Sequence, residues 1–184
     1  KEKRIAYVGQ IAHRKNVGDL IRTFNLLYED HTDTRLVLIG DGPERETLER
    51  LAKSLPSGAH IDFMGYRRDR LSLLKEMNLF SMTSSLEGIP RCMMESMVMG
   101  VPVAAYDIPG VDKLVIPGKT GLLAKFGDQV GLKQCWEKML FDGDLSSQMA
   151  KNARAYVIKK FSARRMAEEY TELYEEMIHE TASG

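Results

Sequence analysis

The sequence predicts an α/β fold, a doubly wound parallel sheet followed by C-terminal helices, and two features predict it. Short β-rich runs alternate with amphipathic stretches up to Gly127, and most of the runs are largely apolar, as a strand covered on both faces requires. Repeated strand–helix–strand units with right-handed crossovers put helices on both sides of one sheet.

Arg4 to Val8 reads as the first strand. Val17, Leu20, Ile21, Phe24 and Leu27 then recur at the helical period and mark one buried face. Further strands are predicted at Arg35 to Ile39, His60 to Phe63, Leu79 to Met82, Val101 to Ala105 and Gly121 to Leu123. Between them, Leu48, Leu51 and Leu55, and then Leu71, Leu74 and Met77, mark two more helical faces. Beyond Gly127 helices are expected at about 127–141, 144–160 and 162–180. Ser162 caps the last, without the acidic partner of a capping box at Arg165. Met166, Tyr170, Leu173, Tyr174 and Met177 share one face of that helix, which predicts that it docks on something. With 184 residues and neither a low-complexity linker nor an internal repeat, the chain reads as one domain over 1–184.

Composition narrows the function. Twenty-six basic residues balance 26 acidic ones, so no summed field favours nucleic acid or anionic membrane, and any bound anion must be held locally. Cys92 and Cys135 are too few for a disulfide scaffold and lack zinc-site spacing, which points to a reducing, cytoplasmic setting. No apolar run approaches the roughly 20 residues of a membrane span, and no leading segment reads as the n-region and h-region of a signal peptide, so a soluble chain is expected. Lys1 opens almost directly into a strand, so a fragment trimmed at a domain boundary is expected. His13, His31, His60 and His179 are scattered and read as surface or turn residues; no metal site is predicted.

In such a sheet ligands bind beyond the carboxyl ends of the strands. In the loop Gly9 to Asn16, Gly9 permits close backbone approach and Arg14 and Lys15 precede a helix, a candidate anion site; taken alone, the loop fits a solvated turn equally well. Gly40-Asp41-Gly42-Pro43 reads mainly as a structural turn with Pro43 at the first helical position. Ile116 to Gly121 resembles part of a P-loop, but Lys113 stands where that motif needs glycine. Gly118 and Gly121 read as turn residues, and an ATPase is rejected.

The segment from Ser84 to Val103 carries most. Pro90 opens a helix of about nine residues that Gly100 and Pro102 stop. Amides of residues 88–92 would face a diphosphate, with the helix dipole favouring its charge. Glu95 lies five residues into the helix, roughly 7.5 Å along its axis, which suits ribose hydroxyls, while Glu87 in the loop mouth faces the other end of the ligand. A glutamate among Met93, Met94, Met97 and Val98 is poorly explained as a plain surface charge.

Together these segments resemble the family-four glycosyltransferases, retaining enzymes of the GT-B fold that transfer a sugar from a nucleoside diphosphate. The resemblance rests on Gly-x-Ile-x-x-x-Lys-Asn, Gly-Asp-Gly-Pro, Phe63-Met64-Gly65-Tyr66, Glu-x7-Glu followed by Gly-x-Pro-Val, and Gly-x-Thr-Gly-Leu-Leu. It implies the nucleotide-sugar-binding, Rossmann-like half of such an enzyme. By it Glu95 binds ribose, Glu87 contacts the donor sugar and Lys15 holds the diphosphate; Gly9, Gly88, Ile89 and Pro90 complete the phosphate site, and Gly65, Tyr66 and Arg67 lie near the base. The family usually carries arginine where this chain has Gln10, and Arg14 in the same loop is the candidate replacement. Many relatives also carry an aromatic residue where this chain has Ala163. The resemblance further implies no cofactor beyond the donor nucleotide sugar, no metal, and an acceptor saccharide, lipid or other hydroxyl compound bound through a second, N-terminal domain that this chain lacks. The final helix would return toward that domain. Peripheral attachment of the full-length protein to the inner membrane face is compatible with it. Rival readings are a non-catalytic nucleotide-binding module and another GT-B enzyme such as a nucleotide-sugar epimerase; no cofactor-lysine context supports a phosphorylase, and the acidic cluster of a receiver domain is lacking.

Overall fold

The computed structural model describes residues 2–182, and their side chains as far as residue 178, so the side chain of His179 lies outside the described residues. Among them are six strands, β1 (Lys3–Val8), β2 (Thr34–Ile39), β3 (Ile61–Gly65), β4 (Leu79–Met82), β5 (Val103–Asp107) and β6 (Leu122–Lys125). All pair in parallel, in the order β3-β2-β1-β4-β5-β6. The helices are α1 (Val17–Asp30), α2 (Arg45–Lys53), α3 (Arg70–Lys75), α4 (Arg91–Val98), α5 (Gln129–Phe141), α6 (Gly143–Lys160) and α7 (Ala163–Ala182). The predicted doubly wound sheet is therefore present. Its order reverses between β1 and β4, and right-handed crossovers on either side of that reversal place α1 and α4 on opposite faces. α5 packs beside α1, and α6 beside α4.

Burial explains the readable strands. Ile5, Ala6, Tyr7 and Val8 at the centre of the sheet are all buried, as are Leu36 to Ile39 beside them. Trp136 of α5 is wholly buried and donates its indole N–H to Ser81 Oγ of β4 at 2.9 Å, which satisfies a donor that would otherwise be costly inside the core.

Several boundaries differ from expectation for local reasons. β5 begins at Val103 rather than Val101, because Pro102 has no amide to donate; only its carbonyl joins the sheet, accepting from Phe80 N–H. β6 starts after the bridge between Pro117 and Gly121. α3 has six residues, too few for the three-residue face read from the sequence: Leu74 and Met77 are buried, but Leu71 is exposed. Pro43 lies in the turn before α2 instead of opening it, since Glu44 N–H is turned back to the Ile11 carbonyl. The caps are clear, with Asp128 and Asp142 accepting from Gly131 and Leu145 N–H, and Ser162 Oγ from Arg165 N–H at 3.3 Å.

α7 stands apart from the core. Met166, Tyr170, Leu173 and Tyr174 are all exposed along it. No helix among the described residues is long and apolar enough to cross a membrane.

Candidate functional site

The register of the sheet assembles the site. β1 and β2 pair residue for residue from Lys3 with Thr34 to Val8 with Ile39, so Gly9 and Gly40 leave the sheet side by side. A Cβ on Gly40, whose φ is +147°, would lie 1.8 Å from the Gly9 carbonyl oxygen; only glycine permits that approach. Ile11 N–H donates to the Asp41 carbonyl, and Gly40 N–H to the carbonyl of Gly65. These contacts tie the loops after β1, β2 and β3 into one rim.

The loop after β4 is knitted to the loop after β1. Ser85 N–H donates to the Arg14 carbonyl at 2.8 Å, and Thr83 Oγ1 to that of Asn16 at 2.8 Å. Asn16 adopts the left-handed conformation, φ +48°, at the point where a turn of 3-10 helix (His13–Lys15) meets α1. This holds Lys15 inward.

Together the loops enclose a cavity of about 560 Å³ at the carboxyl ends of the strands, a volume usual for small-molecule sites. Of the residues singled out in the sequence, Gly9, Gln10, Lys15, Tyr66, Arg67, Glu87, Ile89, Pro90 and Glu95 line it. Gly40 and Asp41 join them, so the turn read as mainly structural is also part of the wall. Arg14, Gly65 and Gly88 are not lining residues. Gly65 serves through its carbonyl, as above. Arg14 braces the neighbouring loop: its Nη1 donates to the Leu86 carbonyl at 3.3 Å and lies 3.6 Å from Glu87 Oε2. As a stand-in for the usual arginine at position 10, it is badly placed.

Each glutamate is paired with a cation. Lys15 Nζ donates to Glu87 Oε1 at 2.5 Å, with the two side chains only 12% and 7% exposed. At the other end Arg70, from the start of α3, forks onto Glu95, and Arg91 reaches the same carboxylate from one turn back along α4. Glu95 holds the Arg70 guanidinium above its ordinary pKa through that hydrogen bond and its charge. α4 itself follows Pro90 with no side-chain cap, and Pro90, Arg91 and Cys92 line the cavity, so no capping side chain competes for its first amides.

Arg70, Arg91 and Cys92 also line the cavity; Arg70 was not singled out by sequence reasoning, and Arg91 and Cys92 were so only through their amides. Arg91 and Cys92 directly follow Pro90, so the helix start itself was the available signal. Burial pushes the Cys92 thiol up to about 11, which disfavours its thiolate. Beneath the floor, Tyr7 donates its hydroxyl to the Gln10 carbonyl at 2.8 Å, and burial raises its pKa, so it remains a neutral prop.

The chain can now be set beside known proteins. The family model described as "Glycosyl transferases group 1" matches residues 1–156. Among curated proteins, the N-acetyl-alpha-D-glucosaminyl L-malate synthase of Bacillus anthracis is 27% identical over 183 residues, covering 100% of this chain and 48% of its own length. Among solved structures, HepE of Anabaena in complex with UDP-glucose superposes with a TM-score of 0.88 at 22% identity, over 95% of this chain and 49% of that one. The C-terminal domain of the group 1 glycosyl transferase LpcC from Francisella tularensis does so at 0.79 and 20% identity, over 88% of this chain and 87% of that one. The chain thus spans about half the length of the curated relatives it matches.

Proposed function

The chain belongs to the glycosyl transferases group 1 family and has the fold of a C-terminal GT-B domain, and from that premise we propose that it is the donor-binding domain of a retaining glycosyltransferase, which moves a sugar from a nucleoside diphosphate to an acceptor hydroxyl. One observation carries the proposal: a single cavity at the carboxyl ends of the strands places the start of α4 between two cation-paired carboxylates, Glu87 and Glu95. That arrangement matches a nucleotide sugar end for end. Glu95 takes the ribose, Lys15 and the α4 amides take the diphosphate, and Glu87 takes the sugar. Tyr66, largely exposed on the rim, offers a ring face to the base. The UDP-glucose bound to the structurally similar HepE supports the ligand class.

In the proposed reaction the bond between the anomeric carbon and the diphosphate oxygen breaks, and the acceptor oxygen attacks from the same face and passes its proton to the departing diphosphate oxygen. Negative charge builds on the departing diphosphate, where Lys15 and the α4 amides stabilise it. No metal is assigned a part. The acceptor, whether a saccharide, a lipid or another hydroxyl compound, is assigned to a second domain, onto which the apolar face of α7 would dock. A cytoplasmic setting goes with the two free cysteines.

The isolated chain is therefore expected to bind a nucleoside diphosphate and to transfer no sugar. Calorimetric titration with UDP, GDP and ADP tests this, and folded protein giving heat with none of them would overturn the reading. Glu95→Ala should weaken the binding by about 1.5 to 3 kcal/mol, the range for hydrogen bonds to a charged group.

Gln10 is exposed on the cavity wall, so a longer cation there meets no core atoms. Gln10→Arg is expected to tighten diphosphate binding by roughly 1 kcal/mol, the upper end for a partly exposed charge pair. The gain should fade with added salt. Arg14→Ala should leave affinity nearly unchanged. A large loss from Arg14→Ala with no gain from Gln10→Arg would show that Arg14 has taken over the role after all.

A further inference from the structure

Glu95 is held by two arginines of different character. Arg70 grips it side-on, Nε to Oε2 at 3.2 Å and Nη2 to Oε1 at 2.8 Å. Arg91 adds a bond from Nε to Oε1 at 3.2 Å, from a side chain 83% exposed, whereas that of Arg70 is 33% exposed. An ionised carboxylate offers about two acceptor positions on each oxygen. Arg70 uses one position on each, and Arg91 uses the second on Oε1. The positions the fork leaves, one on each oxygen, point outward to opposite sides of the carboxylate, so each can take a single hydroxyl. A ribose hydroxyl can therefore meet Glu95 with Arg70 in place, at Oε2 directly or at Oε1 once Arg91 lets go. The contact to be lost is the weak one: an exposed pair four residues apart on a helix holds little against water, while a planar two-bond fork is strong and directional.

We propose that Arg70 is a positioning residue for ribose recognition: its fork fixes the plane of the Glu95 carboxylate so that an outer acceptor position meets a ribose hydroxyl, and Arg91 is the contact that yields where the two compete. This rests on the reading of the cavity as a nucleotide site. It also gives α3 a task beyond closing the sheet. The helix contributes one buried leucine, Leu74, but its first residue spans to α4 and ties the loop carrying Tyr66 and Arg67 to the ribose carboxylate. A lysine at position 70 would keep the charge and lose the fork.

The test compares UDP, GDP and ADP with their 2′-deoxy counterparts by calorimetry, using the full 184-residue chain and its Arg70→Lys, Arg70→Met and Arg91→Ala variants. In the unaltered chain, loss of one hydroxyl bond to a charged acceptor should weaken binding of the preferred nucleotide at least about tenfold. Both Arg70 variants should bring that ratio down to within about twofold, chiefly by weakening the ribonucleotide, while Arg91→Ala keeps it. Thermal unfolding shows whether each variant is folded, and Arg70→Lys provides the milder change should Arg70→Met fail. Equal losses on both ligand series, a tighter ribonucleotide, or an unchanged ratio would each overturn the positioning role. So would an unaltered chain that binds but does not discriminate. If the unaltered chain binds none of the six ligands, the nucleotide-site reading fails first and this inference falls with it.

Discussion

Gly110→Ala is expected to destabilise the protein by about 2 to 4 kcal/mol and to weaken nucleotide binding at least tenfold, although residue 110 touches neither glutamate side chain. Gly110 lies in the loop after β5 with φ +91°, and a Cβ there would sit 1.6 Å from the Gly88 carbonyl oxygen and 2.6 Å from that of Glu87. Both neighbours are backbone, so no flexible side chain can give way. Strain from the left-handed backbone adds roughly 1 to 2 kcal/mol, and the remainder comes from parting two loops. Folding should survive, because a domain has about 5 to 15 kcal/mol to lose, but the loop that gives way is the one presenting Glu87 to Lys15. Gly88→Ala is the contrast. Its Cβ meets nothing within 4 Å, so stability should hold within about 0.5 kcal/mol, and any fall in affinity then reports how closely the ligand approaches. Melting curves and titrations well below the melting temperature separate the two effects. A Gly110→Ala protein with unaltered affinity would mean that the shape of the Glu87 loop does not matter.

Much of this site was legible in the sequence because the fold obeys local rules. Most buried strands read as apolar runs, and parallel strands deliver their following loops to one end; the family resemblance then assigns Lys15, Glu87 and Glu95 to one site. What stayed hidden was pairing and direction. Arg70 looks like an ordinary surface cation at the start of a short helix; only the packing of α3 on α4 brings it to Glu95, 25 residues away. Arg14 and Lys15 are adjacent in sequence, yet the 3-10 turn sends one to the rear of the Glu87 loop and the other into the cavity. Apart from the motif that the resemblance supplies, nothing in their order distinguishes them. The glycines divide in the same way: in the sequence Gly110 is an ordinary loop glycine, and its need for a missing Cβ becomes visible when Gly88, 22 positions earlier in the sequence, lies against it.

Lys15→Met is the second change expected to have a large effect, and the pair it breaks makes the outcome separable. Lys15 and Glu87 meet at 2.5 Å with little exposure, and Arg14 Nη1, at 3.6 Å, is the other cation beside Glu87. Removing the lysine leaves a nearly buried carboxylate with that single partner. A fully buried pair broken in this way costs about 3 to 5 kcal/mol; with Arg14 close by, about 2 to 3 kcal/mol is expected here. Binding should suffer more, at least a hundredfold, because the diphosphate loses its cation and meets an uncompensated negative charge. Glu87→Gln should behave oppositely. It removes the charge, keeps the shape and frees Lys15 for the diphosphate, so affinity for the bare nucleoside diphosphate should hold or rise while affinity for the nucleotide sugar falls. The double variant should recover much of the stability that Lys15→Met loses, since removing both partners leaves no unpaired charge behind. Unfolding and titration on all four proteins complete the cycle. If the double variant is no more stable than Lys15→Met, the two side chains are not energetically coupled. If Glu87→Gln weakens the bare diphosphate and the nucleotide sugar alike, Glu87 does not read the sugar, and the division of labour between the two glutamates is lost.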